Sequence, residues 1–202
     1  MPEENIELDI RLLQLQIAVG NQKAFSELYT RFRKRLLAFS HSLVRAYEIA
    51  EEVVEDVFVG IWSRREEIAK IDNLAVYLYV AVKNRSLNRL SEKAKNLITQ
   101  PYDLLEPHIE VLNDDPYSIM VTAEMLTRMN RAIENLPPRC KMIFKLIRED
   151  GLRYKEVAEI LNISVNTIDV QMAIAVKRIS EALGIKKFDP KALKRPISKR
   201  NS

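Results

Sequence analysis

Between Pro2 and Pro101 the chain has no proline, and the only glycines there are Gly20 and Gly60. Nothing in that span breaks a helix, so long helices are allowed and sheet-forming turns are not provided for. One cysteine, Cys140, excludes an internal disulfide, and a lone Cys in a helical pattern reads as a small core residue. The two histidines, His41 and His108, lie far apart, and no Cys/His spacing resembles a metal site. No glycine-rich phosphate loop and no nucleophile–base pairing occurs, so neither enzymatic chemistry nor a cofactor is expected. No apolar run approaches the roughly 18 residues of a membrane span, and the Met-Pro-Glu-Glu start does not resemble a signal peptide. A cytoplasmic protein without membrane insertion is expected.

What is present is ordinary core material and abundant charge. Apolar residues make up 47% and charged ones 30%, with a net charge of +4. So mild an excess says little until its placement is known. Placement is uneven. Residues 96–116 contain Asp103, Glu106, Glu110, Asp114 and Asp115 but no Lys or Arg. Residues 186–202 carry Lys186, Lys187, Lys191, Lys194, Arg195, Lys199 and Arg200 against Asp189 alone. The acidic stretch is either a solvated connector or a mimic of nucleic acid. The basic tail is either solubilising or a phosphate-binding arm without sequence preference.

Periodicity predicts an all-α fold of two helical domains joined by a linker. The boundaries are 1–95, 96–116, 117–185 and a tail, 186–202. Phe25, Leu28, Phe32, Leu36, Phe39 and Leu43 recur at helical spacing behind Asn21, a suitable N-cap. A second helix is predicted from Tyr47 to Ile68, with Ala50, Val53, Val54, Val57, Ile61 and Trp62 inward. A third is predicted from an Asp72 cap to about Lys95, using Leu74, Leu78, Ala81, Val82 and Leu90. Pro116 opens the second domain, where Ile119, Ala123, Leu126, Met129, Ile133 and Leu136 form a stripe. Pro137-Pro138 stops that helix and starts another, which Gly151 ends.

The most specific pattern follows Gly151. A short helix over about 153–161, a small residue at the crossing (Ala158), a plugged turn at Asn162-Ile163-Ser164 and a Ser164-capped helix make a helix-turn-helix. Val165, Ile168, Met172 and Ile179 are expected to bury against the first helix. Ser164, Asn166, Thr167, Asp169, Val170, Ala173, Ile174, Lys177 and Arg178 are then the candidate DNA-binding residues. This set is poor in the Arg, Lys and Gln that usually read bases, and its apolar members suit thymine methyl groups. Asp169 would repel phosphate or accept from cytosine.

Three segments carry a resemblance: Gly20–Tyr29, Ala50–Trp62 and Tyr77–Arg85. With Leu136-Pro137 ahead of the helix-turn-helix, they resemble sigma factors of the extracytoplasmic-function group, in the sigma-70 family, over about residues 10–185. The resemblance implies that 1–95 binds core RNA polymerase and reads and melts the minus-ten promoter region. It implies that 117–185 recognises the minus-thirty-five element. Glu51, Glu52, Glu55, Asp56, Val59 and Trp62 would dock on the clamp helices of the largest polymerase subunit, and the second domain on the flap of the second-largest. Asp72, Asn73, Tyr77, Tyr79, Lys83, Asn84, Arg85, Asn88 and Arg89 would contact minus-ten DNA, with Lys93 extending the basic face. The periodicity of Tyr77 and Tyr79 is equally compatible with core packing. The loop at about Ile71–Leu74 would capture an extruded base, and the acidic linker would thread towards the polymerase active site. An anti-sigma factor is an implied partner besides promoter DNA. Asp169, Ile174 and Val80 stand where the family commonly has basic residues. The alternatives are a stand-alone helix-turn-helix regulator and, more remotely, a protein-interaction module that has lost DNA binding.

Overall fold

The computed structural model describes residues 2–97 and 120–184, with side chains placed for 9–92 and 126–184. The chain divides into two compact units. No strand occurs among the described residues. The linker from 98 to 119, including the expected Pro116 start and Ile119, lies outside them. So does the tail beyond 184, as do the side chains of Lys93 and Ala123.

The first unit comprises α1 (Pro2–Ala18), α2 (Gln22–Val44), α3 (Tyr47–Ser63), a 3-10 segment (Arg65–Lys70) and α4 (Leu74–Leu97). Helix α2 starts where Asn21 Oδ1 accepts from the amides of Lys23 and Ala24, the role its sequence position predicts. Leu28, Phe32, Leu36 and Phe39 are buried as expected, while Phe25 and Leu43 are half-buried and Ala24 and Val44 complete the face. Helices α3 and α4 both pack against α2 and against each other. Phe25 lies between two rings of α3, with its centroid 4.9 Å from Trp62 and 6.0 Å from Phe58.

Two boundaries differ from the sequence expectation. The helix begun at Tyr47 ends at Ser63, because Arg64 leaves helical geometry (φ −115°, ψ 31°) and the chain tightens into the 3-10 segment. Ile68 stays buried. Helix α4 is capped by Asn73 rather than Asp72: Asn73 Oδ1 accepts from the amide of Val76 at 3.1 Å. Both residue types cap well, and one position of register decides which side chain reaches the amide.

The second unit comprises α5 (Met120–Glu134), α6 (Pro138–Arg148), α7 (Tyr154–Leu161) and α8 (Val165–Ala182). Pro138 takes the first helical position of α6, and Gly151 sits at φ +75°, the left-handed geometry expected after a helix. Ile133, Leu136, Cys140 and Ala175 form a buried cluster, with Phe144 and Ile179 packed on it. Cys140 is core, as predicted, and burial raises its thiol pKa. Glu134 binds Lys145 at 2.8 Å and Lys141 at 3.1 Å, tying α5 to α6.

Candidate nucleic-acid interfaces

The helix-turn-helix is built by local chemistry. Glu156 reaches back to accept from the amide of Arg153 at 2.7 Å, half of a capping box at the start of α7. Asn162 turns the chain at φ 53°, and the amide of Ile163 donates to the carbonyl of Ala158 at 3.0 Å. Ser164 Oγ accepts from the amide of Thr167 at 3.1 Å and shares a hydrogen bond with its hydroxyl at 2.8 Å. Ser164 and Thr167 thus spend their hydroxyls on capping. Val157, Ala158 and Ile160 of α7 are buried, as are Ile168 and Met172 of α8; Ile163 is half-buried.

Two expectations for α8 are corrected. Val165 is 39% exposed rather than buried. It occupies the first turn, ahead of the inward stripe that Ile168, Met172, Ala175 and Val176 make. Ile179 is half-buried and packs on the cluster of Ile133, Leu136, Cys140 and Ala175. The eight residues of α7 span only about 12 Å, and the eighteen of α8 run well beyond that.

The outward surface of α8 is largely as predicted. Val170 is 49% and Ile174 37% exposed, and Asn166, Ala173, Lys177 and Arg178 are exposed too. Lys177 lies 3.9 Å from Glu181 on the same helix. Asp169 is half-buried, and its carboxylate helps burial to raise the pKa of Tyr154 on α7. It therefore faces back towards the first helix of the motif.

In the first unit the predicted docking and DNA residues meet at one seam. Arg85 of α4 binds Asp56 of α3 at 3.1 Å. Arg89 reaches the same carboxylate at 3.4 Å, Glu52 at 3.9 Å and Glu92 at 3.8 Å. Glu51 is held by Arg33 of α2, whose Nε donates to the Tyr29 hydroxyl at 2.9 Å. Trp62 is half-buried on Phe25, with the Arg65 guanidinium 5.4 Å above its ring. Of the predicted docking residues, Glu52, Glu55 and Val59 face solvent, with Val59 64% exposed. Tyr47 on the same helix is exposed as well.

Helix α4 separates its two tyrosines. Tyr79 is 1% exposed and edge-on to Phe39 at 5.2 Å, so it is a core residue and not a base-stacking platform. Tyr77 is 38% exposed. Tyr77, Asn84 and Asn88 share one helical face and all are exposed. Lys83 is half-buried beside that face, and Val80 is half-buried within it. Asp72 and Asn73 are exposed in the loop ahead of α4. Next to this loop is a cleft of about 270 Å³, lined by Gly60, Arg64, Ile68, Lys70, Ile71 and Tyr77 among others. The sequence reading missed this cleft, because its walls come from α3, the 3-10 segment and α4 together.

The fold and its surfaces define an all-α, two-part protein with a helix-turn-helix unit. The sigma-70 region 2 family matches residues 28–96, and sigma-70 region 4 matches residues 126–179. The chain belongs to the sigma-70 family, in its extracytoplasmic-function group. It is 24% identical over 170 residues to the ECF RNA polymerase sigma-E factor of Escherichia coli, covering 80% of this chain and 87% of that one. It is 22% identical over 181 residues to the ECF RNA polymerase sigma factor SigK of Mycobacterium bovis, covering 88% and 95%. Its fold is that of the sigma factor RpoE of Bartonella quintana, solved in complex with the anti-sigma factor NepR. The TM-score is 0.60 at 20% identity, over 82% of this chain and 99% of that one. CnrH, solved with the cytosolic domain of CnrY, is similar at a TM-score of 0.52 and 20% identity, over 89% and 99%. As a sigma factor the chain directs transcription initiation, and the family is regulatory rather than enzymatic.

Proposed function

We propose that the first unit carries the polymerase-docking and minus-ten functions and that the second carries minus-thirty-five recognition. The observation that bears most weight is the exposed Glu52–Glu55–Val59 face of α3. A repressor has no need of a surface with charge around an apolar centre on its non-DNA unit, whereas a polymerase subunit does. Docking uses that face, with Asp56, Glu51 and Trp62 shaping it from behind.

Minus-ten contact falls to Tyr77, Asn84 and Asn88, flanked by Lys83, Arg85 and Arg89. Loop 71–74 and the adjoining cleft receive an extruded base, with Arg64 and Lys70 placed to balance its phosphate. In the second unit, Asn166, Val170, Ala173 and Ile174 enter the major groove, and Lys177 and Arg178 hold phosphate. The apolar centre reads thymine methyl groups. Replacing thymine by uracil in the minus-thirty-five element should weaken binding about fivefold per buried methyl. Equal binding would remove the methyl-reading assignment.

The chain does this as a regulatory subunit with no reaction of its own, in the cytoplasm where its polymerase is, and an anti-sigma protein holds it when idle. Capture by purified core polymerase tests the reading. Retention that is lost in Val59→Glu is expected; no retention, together with tight operator binding by the protein alone, would instead make it a stand-alone regulator.

A further inference from the structure

We infer that Gln14 of α1 is a positioning residue for the strand-opening loop. The inference rests on the role given above to residues 71–74. Gln14 is 1% exposed, a polar side chain inside an otherwise apolar helix face between Leu13 and Ile17. Its Nε2 donates to the carbonyl of Ile68 at 2.9 Å and to that of Ile71 at 2.8 Å. A carboxamide nitrogen has two hydrogens, and both are committed here. The two carbonyls belong to the turn by which the 3-10 segment becomes the loop.

Each partner explains why the residue is a glutamine. Buried carbonyls must be paired, each has two lone pairs, and Gln14 fills acceptor capacity that the turn's own bonds leave open. Ile71 returns its amide to the carbonyl of Ile68 at 3.2 Å, so the turn is closed from within as well. Arg11 reaches the carbonyl of Ile71 from the exposed side at 3.5 Å. Asp72 and Asn73 follow at once, and Asn73 fixes the far end of the loop by capping α4. The loop is therefore pinned at its start by α1 and at its end by its own cap. A loop held in this way loses less conformational freedom when it takes up a base, which lowers the cost of opening the duplex. The sigma-70 region 2 match begins at residue 28, so this support comes from a helix that precedes it.

The test uses the full chain with purified core polymerase on a linear promoter, with permanganate reactivity of unpaired thymines as the readout. Gln14→Met keeps the volume and removes both donors. Opening is expected to slow by about tenfold, the order of a lost buried hydrogen bond, with core binding unchanged. A promoter carrying a mismatched, pre-opened bubble should restore wild-type activity. Amide exchange at 71–73 should quicken by a similar factor while α2 stays protected. Wild-type opening by Gln14→Met overturns the inference. So does a defect that the bubble does not rescue, or exchange that rises throughout the unit, since either marks a merely structural loss. If Gln14→Met does not fold, Gln14→Asn withdraws the amide by one methylene and is judged by the same results. The combined Ile71→Gly, Asp72→Gly, Asn73→Gly chain separates the two levels. If it opens promoters normally, the loop role itself fails; if it is defective while Gln14→Met is not, only the part played by Gln14 is lost.

Discussion

The faces proposed for DNA in the two units carry charge in opposite ways. In the first, Arg85 and Arg89 on α4 lie in ion pairs with Asp56 and Glu52 on α3. In the second, the centre of the exposed α8 surface proposed to face the groove is Val170, Ala173 and Ile174, which has no charge to neutralise. Each of those arginine side chains is about two-fifths exposed, so the pairs are cheap to break. On the proposed reading, Arg85 and Arg89 of the first unit reach phosphate by exchanging partners, while the second unit adds apolar contact to the phosphate grip of Lys177 and Arg178. Charge counted along a sequence does not equal charge offered to a ligand.

The largest predicted effect concerns the two tyrosines of α4. Tyr79→Ala should cost the first unit about 3–5 kcal/mol in thermal or chemical denaturation, as removal of a buried aromatic does. Tyr77→Ala should cost well under about 1 kcal/mol and show its defect in promoter opening instead. Equal destabilisation by the two would erase the distinction between core and contact residue on this helix.

Next is the apolar surface of α8. Val170→Ser with Ile174→Ser should weaken minus-thirty-five binding by about 1–2 kcal/mol while moving the melting temperature little. A gain in affinity would show that the surface is not a reader. On the other side of the comparison, Asp56→Asn should cost about 0.5–1 kcal/mol of stability and raise affinity for minus-ten DNA, by releasing Arg85 and Arg89. Lower affinity would mean that the pairs orient the arginines for DNA rather than withhold them.

A comparable effect tests the second unit's own ion pairs. Burial raises the pKa of Glu134, but the ammonium groups of Lys145 and Lys141 outweigh it and hold the carboxyl below its ordinary value. Its stabilisation is thus complete above the unfolded pKa and is lost as pH falls through the folded one. The gap in melting temperature between wild type and Glu134→Gln should close on acidification below about pH 4.5, from a difference worth about 0.5–1 kcal/mol at neutrality. A gap that persists into strong acid would assign the effect to packing. Of similar size but opposite sign is an effect at Arg45, which ends α2 in left-handed geometry at φ 54°. Arg45→Gly should stabilise the first unit by roughly 0.5–1 kcal/mol in denaturant titration.

What could be read from the sequence was what local chemistry decides. The caps at Asn21 and Ser164, the stop at Gly151, the start at Pro138 and the helix-turn-helix all depend on residues within a few positions of one another. Which residues of α3, α4 and α8 stay exposed was legible in outline for the same reason, whereas the docking and minus-ten roles proposed for them came from the family resemblance. What could not be read depends on neighbours distant in sequence. Periodicity alone leaves Tyr77 and Tyr79 equivalent; only α2, through Phe39, makes one of them core. The packing of Ile179 on the cluster of Ile133, Leu136, Cys140 and Ala175 depends on α5 and α6, and the seam between Asp56 and Arg85 on the packing of α3 on α4. Gln14 looks like any polar residue on a helix until the carbonyls of Ile68 and Ile71 are brought to it.

Run-off transcription with purified core polymerase, with start sites mapped across a genomic promoter library, tests the central claim most directly. The account predicts a defined set of starts dependent on this chain, with a shared upstream element containing thymines that α8 can read. Core polymerase that gains no specific starts from the chain, although the chain binds DNA on its own, would contradict it.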